Sequence, residues 1–262
     1  MGHGFTSRQR LNPAAKQHNC GSLGCARCLR HIHTCGARSP PQPLKPMSAS
    51  YSAETLLLEG PDAVAFAHAQ FSSNVTALAI GDWQFSAWLD AQGRVQAFFQ
   101  LARMSDDRLL LLLRGGDAVA IIDALRRFVF RSKLTLTALP PRALGTGPSL
   151  QLHAVRSEEG MFSLGCGDYS LQIKSASAGD DDWREMQLRD GWPWLPSSTL
   201  NELLPPSLSL QRLLAVVVDK GCYPGQEIVA RMHYRGGHKR HMHSVVLSQQ
   251  VAAGEVLREN ER

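Results

Sequence analysis

Cysteine is scarce beyond the first 46 residues of the chain, and this scarcity excludes a fold based on disulfides. Of the six cysteines in the 262-residue sequence, only Cys166 and Cys222 follow residue 46. Small secreted domains depend on several disulfides, whereas proteins of reducing compartments keep their few thiols free. We therefore expect the main part of the chain to occupy a reducing compartment and to fold around an apolar core.

Long apolar runs are also lacking. The longest aliphatic run, residues 213–218, has six residues, whereas a membrane-spanning helix needs about 20. The N-terminus has no apolar segment of the kind that secretory signals contain. These absences predict a cytoplasmic protein without a membrane partner.

Acidic residues are absent from residues 1–46, which carry seven Lys or Arg. Because the whole chain has 28 basic and 23 acidic residues, residues 47–262 have 21 and 23, a net charge of −2. The overall charge of +5 therefore belongs to the N-terminal segment. A nearly neutral body carries no electrostatic footprint for nucleic acid, and we expect no direct nucleic-acid partner.

The N-terminal segment, residues 1–46, is rich in Pro, Gly, Arg and His. It has no hydrophobic period, so we expect a disordered basic extension. Three other interpretations stay open. Translation from Met47 would remove the segment. A transit peptide would direct the protein to the mitochondrial matrix. The spacing of Cys20, Cys25 and Cys28 is similar to that of an iron–sulfur site, although we predict no metal ligands in this protein.

The body of the chain has a pattern that predicts an α+β fold. Apolar residues alternate in the predicted strands and recur every three or four residues in the predicted helices. The predicted order is strand, helix, three strands and helix, at residues 55–58, 60–71, 83–89, 95–101, 108–113 and 116–129. Further short strands are predicted at residues 150–155 and 169–174. Such an order is typical of an antiparallel sheet with helices on one face.

Residues 220–227, Lys-Gly-Cys-Tyr-Pro-Gly-Gln-Glu, contain the one cysteine that its neighbours mark as reactive. In an extended chain, Lys220 and Cys222 project from the same face. Pro224 suits the first position of a helix, and residues 226–227 suit its first turn. A nearby ammonium group and a helix N-terminus both favour thiolate. The alternative is a tight turn whose glycines are steric necessities and whose cysteine is a small buried residue.

Together with residues 228–240, this segment closely resembles the signature of the folate-binding YgfZ-type proteins. These are relatives of the glycine-cleavage T-protein, an aminomethyltransferase. The family pattern is K-G-C-[YF]-x-G-Q-E followed by a basic pair. The residues that fill it are Lys220, Gly221, Cys222, Tyr223, Gly225, Gln226, Glu227, Lys239 and Arg240.

Two earlier segments also fit family patterns. The first pattern is G-x-D-x-x-x-F, and the second is G-R-V. The residues that fill them are Gly60, Asp62, Phe66, Gly93, Arg94 and Val95. Residues 183–193 resemble a family segment in which a tryptophan precedes a strand that ends in Gly-aromatic-Pro. The resemblance makes Trp183 the candidate for stacking on the pterin, although a tryptophan is just as commonly a core residue.

The resemblance implies a T-protein-like folate-binding core of antiparallel sheets and helices over residues 48–240. It implies tetrahydrofolate or a derivative as cofactor. The implied function is assembly or repair of iron–sulfur clusters in client enzymes, including tRNA thio-modification enzymes. Cys222 would meet the cluster, its sulfur or a one-carbon unit, and Lys220 would lower the pKa of the thiol. The remaining motif residues would shape the loop: Gly221 and Gly225 would permit the turn, and Gln226 and Glu227 would orient the loop or cap the helix.

Three departures from the family keep alternatives open. Pro205-Pro206 and Ser209-Leu210 stand where the family usually has Pro-Gln and Asn-Leu. Aminomethyltransferases carry an Asp just after the glycine turn that corresponds to Gly93 here. The matching residues 95–98, Val-Gln-Ala-Phe, contain no carboxylate. The C-terminal β-barrel is expected to be largely missing, with residues 241–262 as its remnant. The alternatives are a folate-dependent one-carbon transferase and a truncated non-catalytic remnant. The sequence does not indicate which oligomeric state the protein adopts.

Overall fold

The computed structural model describes residues 52–174, 179–236 and 241–245, together with residues 247, 251 and 255. The predictions for residues 1–46 lie outside this part of the chain. Most of the expected barrel remnant, residues 241–262, also lies outside it. No helix formed by the described residues is both long enough and apolar enough to cross a membrane.

The described residues form two antiparallel sheets and four α-helices. The first sheet has the strand order β3-β4-β5-β2-β6, and the second has the order β1-β7-β10-β9-β8. The strands are β1 Ser52–Ala53, β2 Thr55–Glu59, β3 Trp83–Leu89, β4 Val95–Ser105, β5 Arg108–Gly115, β6 Thr135–Ala138, β7 Arg142–Gly147, β8 Val155–Glu158, β9 Met161–Gly165 and β10 Ser170–Lys174. The helices are α1 Ala63–Gln70, α2 Ala118–Arg126, α3 Asp182–Arg189 and α4 Gln226–Arg235.

The leucine run of β5 shows why the first sheet is buried on both faces. Successive strand residues point to opposite faces. Leu109, Leu111 and Leu113 belong to the apolar core that includes α1 and α2. Leu110 and Leu112 belong to a second core, shared with the second sheet and with residues after 183. The predicted α+β class, with helices on one face of an antiparallel sheet, is confirmed.

Helix α2 forms where local chemistry predicts it. Asp117 is the N-cap, and its side chain accepts a hydrogen bond from the Ala120 N–H at 2.7 Å. Ile121, Ile122 and Leu125 then bury one stripe of the helix against the sheet. A capping carboxylate followed by residues at helical spacing is a strong helix start signal.

Two secondary-structure predictions are wrong. Residues 183–189 lie in helix α3, where Trp183 and Gln187 are buried four residues apart, so the period is helical and the predicted strand is absent. Residues 151–154 form a turn, and the strand of this region begins only at Val155. Residues 241–245 form no strand, and most of the first barrel strand, expected to begin near His243, lies outside the described residues.

Candidate functional site

The loop of residues 217–225 leads directly into helix α4. The helix begins at Gln226, so Gln226 and Glu227 occupy its first turn, as predicted. Pro224 is not the first helical residue. The reason is Gly225, which adopts a left-handed φ of +77° and delays the helix by two residues.

Gly225 packs against the turn between β3 and β4. A Cβ atom at position 225 would lie 2.4 Å from the Asp90 carbonyl oxygen and 2.7 Å from the Gly93 Cα. Gly93 in turn lies under Ile228 of α4, because a Cβ at position 93 would lie 3.2 Å from the Ile228 Cβ. The two glycines therefore bring the segments that carry the G-R-V and K-G-C-Y patterns into direct contact.

Lys220 anchors the loop to the end of α1. Its Nζ donates hydrogen bonds to the carbonyl oxygens of His68 (2.5 Å), Phe71 (2.5 Å) and Ser73 (3.0 Å). A cation is favourable at a helix C-terminus, and these three acceptors use all the donors of an ammonium group. Nζ also lies 4.9 Å from the centroid of the Tyr223 ring. Burial lowers the pKa of Lys220 to about 8.

Tyr223 and Gln226 close the loop on itself. The Tyr223 hydroxyl donates to the Val217 carbonyl at 2.8 Å. The Gln226 amide donates to the carbonyls of Val218 (3.2 Å) and Lys220 (3.0 Å). Burial raises the pKa of the Tyr223 hydroxyl, so it stays a donor at neutral pH. These bonds hold the backbone on both sides of residue 222.

Cys222 is exposed at the tip of this rigid loop, which excludes the interpretation of a small buried cysteine. Gly221 is exposed as well, and its φ is not positive. The nearest group to a Cβ at position 221 would be His68 Nε2, at 3.8 Å. Burial and then the charge of Lys220 lower the pKa of His68. His68 therefore stands beside the motif, a position that helical spacing alone does not reveal.

A cavity of about 610 Å³ lies beside the start of β3, and we call it the aromatic cavity. Three aromatic rings line it: Trp192 lies 5.6 Å from Trp83 and 5.2 Å from Phe85, measured between ring centroids. The polar side chains on its wall are Asn74, Asp82, Gln84, His153 and Arg212.

Residues 72–74 connect the aromatic cavity to the motif loop. The Ser72 carbonyl accepts from the Val217 N–H at 3.0 Å, and Val217 itself lines the cavity. The Ser73 carbonyl accepts from Lys220, while the Ser73 hydroxyl accepts from the Gln84 amide at 2.9 Å. One short segment thus fixes both the cavity wall and the base of the loop that carries Cys222.

Trp183 is not on the cavity wall. Its side chain is 0% exposed, its Nε1 donates to the Asp180 carbonyl at 2.8 Å, and its ring lies 5.1 Å from that of Trp194. Within the same segment, residues 183–193, Trp192 in the Gly-aromatic-Pro part lines the aromatic cavity. Sequence reasoning missed Trp192 because both residues fit an aromatic role and only packing separates them.

Arg114 holds the wall that presents Trp192. Its fully buried guanidinium donates to the carbonyls of Pro193 (2.9 Å) and Trp192 (3.1 Å), and it stacks 4.5 Å from the Trp194 ring. Gly115 allows this approach, because a Cβ there would lie 2.7 Å from the Leu195 Cβ. Desolvation lowers the pKa of Arg114 to about 9, so it stays charged at neutral pH. No carboxylate lies in an ion pair with it among the described residues.

Metal chemistry has no donor set in this part of the molecule. Among residues 52–174, 179–236 and 241–245, no group of three or more His, Cys, Asp or Glu side chains could hold an ion. The Cys-rich segment near the N-terminus lies outside the described residues.

Several known proteins are similar in sequence to this chain. No family model matches the chain. An uncharacterized protein of Haemophilus influenzae is 29% identical over 191 residues, which are 71% of this chain and 68% of that protein. The tRNA-modifying protein YgfZ of Edwardsiella ictaluri is 25% identical over 245 residues (77% and 74%). The protein of the same name from Vibrio atlanticus is 25% identical over 221 residues (75% and 68%).

The fold has a counterpart among solved structures. The glycine cleavage system aminomethyltransferase T from Bartonella henselae superimposes with a TM-score of 0.54 at 18% sequence identity. The match covers 70% of this chain and 62% of that protein, so the chain spans less than two thirds of the aminomethyltransferase. The predicted resemblance is confirmed: the chain is similar to the YgfZ-type proteins and has a T-protein-like fold.

Proposed function

We propose that the protein is a folate-dependent accessory protein for assembly or repair of iron–sulfur clusters, including those of tRNA thio-modification enzymes. The observation that carries the proposal is the exposed Cys222, held by a rigid loop whose supports also form an aromatic cavity. Relatives named tRNA-modifying proteins support the link to tRNA modification. Client enzymes and a cytoplasmic location belong to the same proposal.

The aromatic cavity fits the pterin of a folate. Sites for small molecules have volumes of roughly 300–1,000 Å³ and combine apolar walls with a few polar groups. The cavity measures about 610 Å³. Trp192 would stack on a planar heteroaromatic ring, with the buried Trp83 and Phe85 packed edge-on against Trp192, and Asp82 and Gln84 would pair with the polar edge of the ligand. When bound, tetrahydrofolate supplies a carrier for one-carbon units.

Trp183 has a supporting role in this proposal. Its ring packs against Trp194, which stacks on Arg114, and Arg114 binds the backbone of Trp192. We therefore assign pterin stacking to Trp192 and assign to Trp183 the packing behind that wall.

The motif residues divide their roles around Cys222. The thiol of Cys222 would meet the cluster or its sulfur at the protein surface. Lys220 fixes the base of the loop through its hydrogen bonds to the carbonyls of His68, Phe71 and Ser73. Gly225 allows the loop to dock on the β3–β4 turn, and Gln226 orients the backbone that precedes α4.

The rival function, a one-carbon transferase, lacks a group that its chemistry requires. Aminomethyl transfer in the family uses a carboxylate after the turn, and β4 begins here with Val95, Gln96 and Ala97. Gln96 cannot take up a proton as a carboxylate does. The rescue experiment below distinguishes the proposed function from the second alternative, a truncated remnant without activity.

The test is rescue of iron–sulfur enzyme activity in a strain that lacks its own YgfZ-type protein. We expect the wild type to restore client activity, Cys222→Ala to fail, and both proteins to accumulate to the same level. Cys166→Ala is the matched control, because Cys166 is the other cysteine among the described residues and is partly buried. Full rescue by Cys222→Ala, or no rescue by the wild type, would overturn the proposal.

A further inference from the structure

Arg212 lies where three cavities meet. It lines the aromatic cavity together with Trp192. Both residues also line a second cavity of about 710 Å³, bounded by α3 and by residues 242–245. A third cavity of about 380 Å³, next to α4, includes Arg212 as well. One arginine therefore borders both the cavity that suits a flat ring and neighbouring space that a longer ligand would enter.

The guanidinium of Arg212 is held in place by backbone groups. Nη2 donates to the Gly191 carbonyl at 2.6 Å, and Nη1 donates to the Asp190 carbonyl at 3.4 Å. Gly191 has a φ of +69°, and a Cβ at this position would lie 2.7 Å from Nη2. The glycine thus leaves room for the guanidinium, which is positioned before any ligand arrives.

The charge of Arg212 is not neutralised within the part of the chain that the structure describes. None of the ion pairs found there includes it. Arg189, on the same second cavity, differs because it pairs with Glu185 at 2.6 Å. Since arginine has five N–H donors in a planar fork, Arg212 retains donors for a carboxylate.

We infer that Arg212 recognises the anionic tail of the ligand whose ring lies in the aromatic cavity. In a folate this tail is the glutamyl carboxylate group, so the inference rests on the proposed function and deepens it. Trp192 lines both cavities, and a ligand that stacks on it reaches the second cavity past Arg212. Arg212 is therefore the specificity-determining residue that separates glutamylated pterins from pterins without the tail.

The experiment compares two probes by calorimetry with the full chain: tetrahydrofolate, and tetrahydropteroate, which lacks the glutamate. A charge-assisted hydrogen bond to the carboxylate predicts that the wild type binds tetrahydrofolate about tenfold more tightly or better. Arg212→Leu is expected to reduce this preference to less than about threefold while leaving the affinity for tetrahydropteroate unchanged. Arg212→Lys retains the charge without the planar fork of donors. Its preference for tetrahydrofolate is expected to lie between those of the wild type and Arg212→Leu.

The double variant Glu185→Gln/Arg189→Leu is the matched control, because it removes the ion pair of the same cavity without changing the net charge of that cavity. It is expected to keep the full preference. Equal binding of both probes by the wild type, or a full preference in Arg212→Leu, overturns the inference and leaves the proposed function standing. Absence of binding by either probe overturns both. A lower affinity of Arg212→Leu for tetrahydropteroate assigns a structural role to Arg212 and also overturns the inference.

Discussion

The two glycines of the motif loop are expected to respond differently to the same substitution. Gly225 has a φ of +77°, and a Cβ there would lie 2.4 Å from the Asp90 carbonyl oxygen. The left-handed conformation costs a non-glycine residue roughly 1–2 kcal/mol. Overpacking against atoms that cannot move costs roughly another 1–3 kcal/mol. Gly225→Ala should therefore lower the free energy of unfolding by at least about 2 kcal/mol.

Gly221→Ala is the matched comparison within the same loop. The φ of Gly221 is not positive, and the nearest group to its Cβ would be His68 Nε2 at an ordinary 3.8 Å. The free energy of unfolding should change by less than about 0.5 kcal/mol, as at a surface site. Urea denaturation of both variants, with the slope checked against the wild type, measures the difference. Equal stabilities of Gly225→Ala and Gly221→Ala would refute the docking of the loop on the β3–β4 turn.

Three further outcomes follow from charge and backbone geometry. Lys220→Met should raise the pKa of His68 in an NMR titration, because the positive charge of Lys220 now disfavours the imidazolium; an unchanged or lower pKa would contradict their proximity. The wild type should gain stability relative to Lys220→Met as pH rises from about 8 towards the unfolded value of about 10.4, because the unfolded chain then binds more protons; a loss of stability in that window would contradict the burial of the ammonium group. Leu214 is 72% exposed and has a φ of +52°. Because glycine adopts this conformation without strain, Leu214→Gly should stabilise the protein by about 1 kcal/mol in thermal unfolding. A loss of stability, as expected for the control Leu213→Gly, would contradict the strained conformation.

The elements that sequence predicts well are those whose signals are local. Asp117 and the apolar stripe that follows it lie within a few residues of each other, and α2 forms as expected. The strands β3, β4 and β5 also form, because each buries alternate residues on two apolar cores. Helix α3 was missed because its short amphipathic pattern around Trp183 is ambiguous until the second core buries one face.

The candidate site depends on contacts that sequence spacing does not contain. The motif identifies Lys220 and Cys222, yet the acceptors of the Lys220 ammonium lie about 150 positions earlier, at His68, Phe71 and Ser73. Gly221 and Gly225 are the same residue type in the same motif, and only docking on a distant turn gives one of them a left-handed backbone. Long-range packing of this kind sets which residue lines a cavity and which supports its wall.

The most direct test of the account is a calorimetric titration of tetrahydrofolate into the full chain and two tryptophan variants. The wild type should bind one equivalent. Trp192→Ala should weaken binding about tenfold or more, because it removes an aromatic stacking surface. Trp183→Phe should bind like the wild type, since its ring is buried behind the wall. Absence of binding by the wild type, or an unchanged affinity in Trp192→Ala, would contradict a folate site in the aromatic cavity.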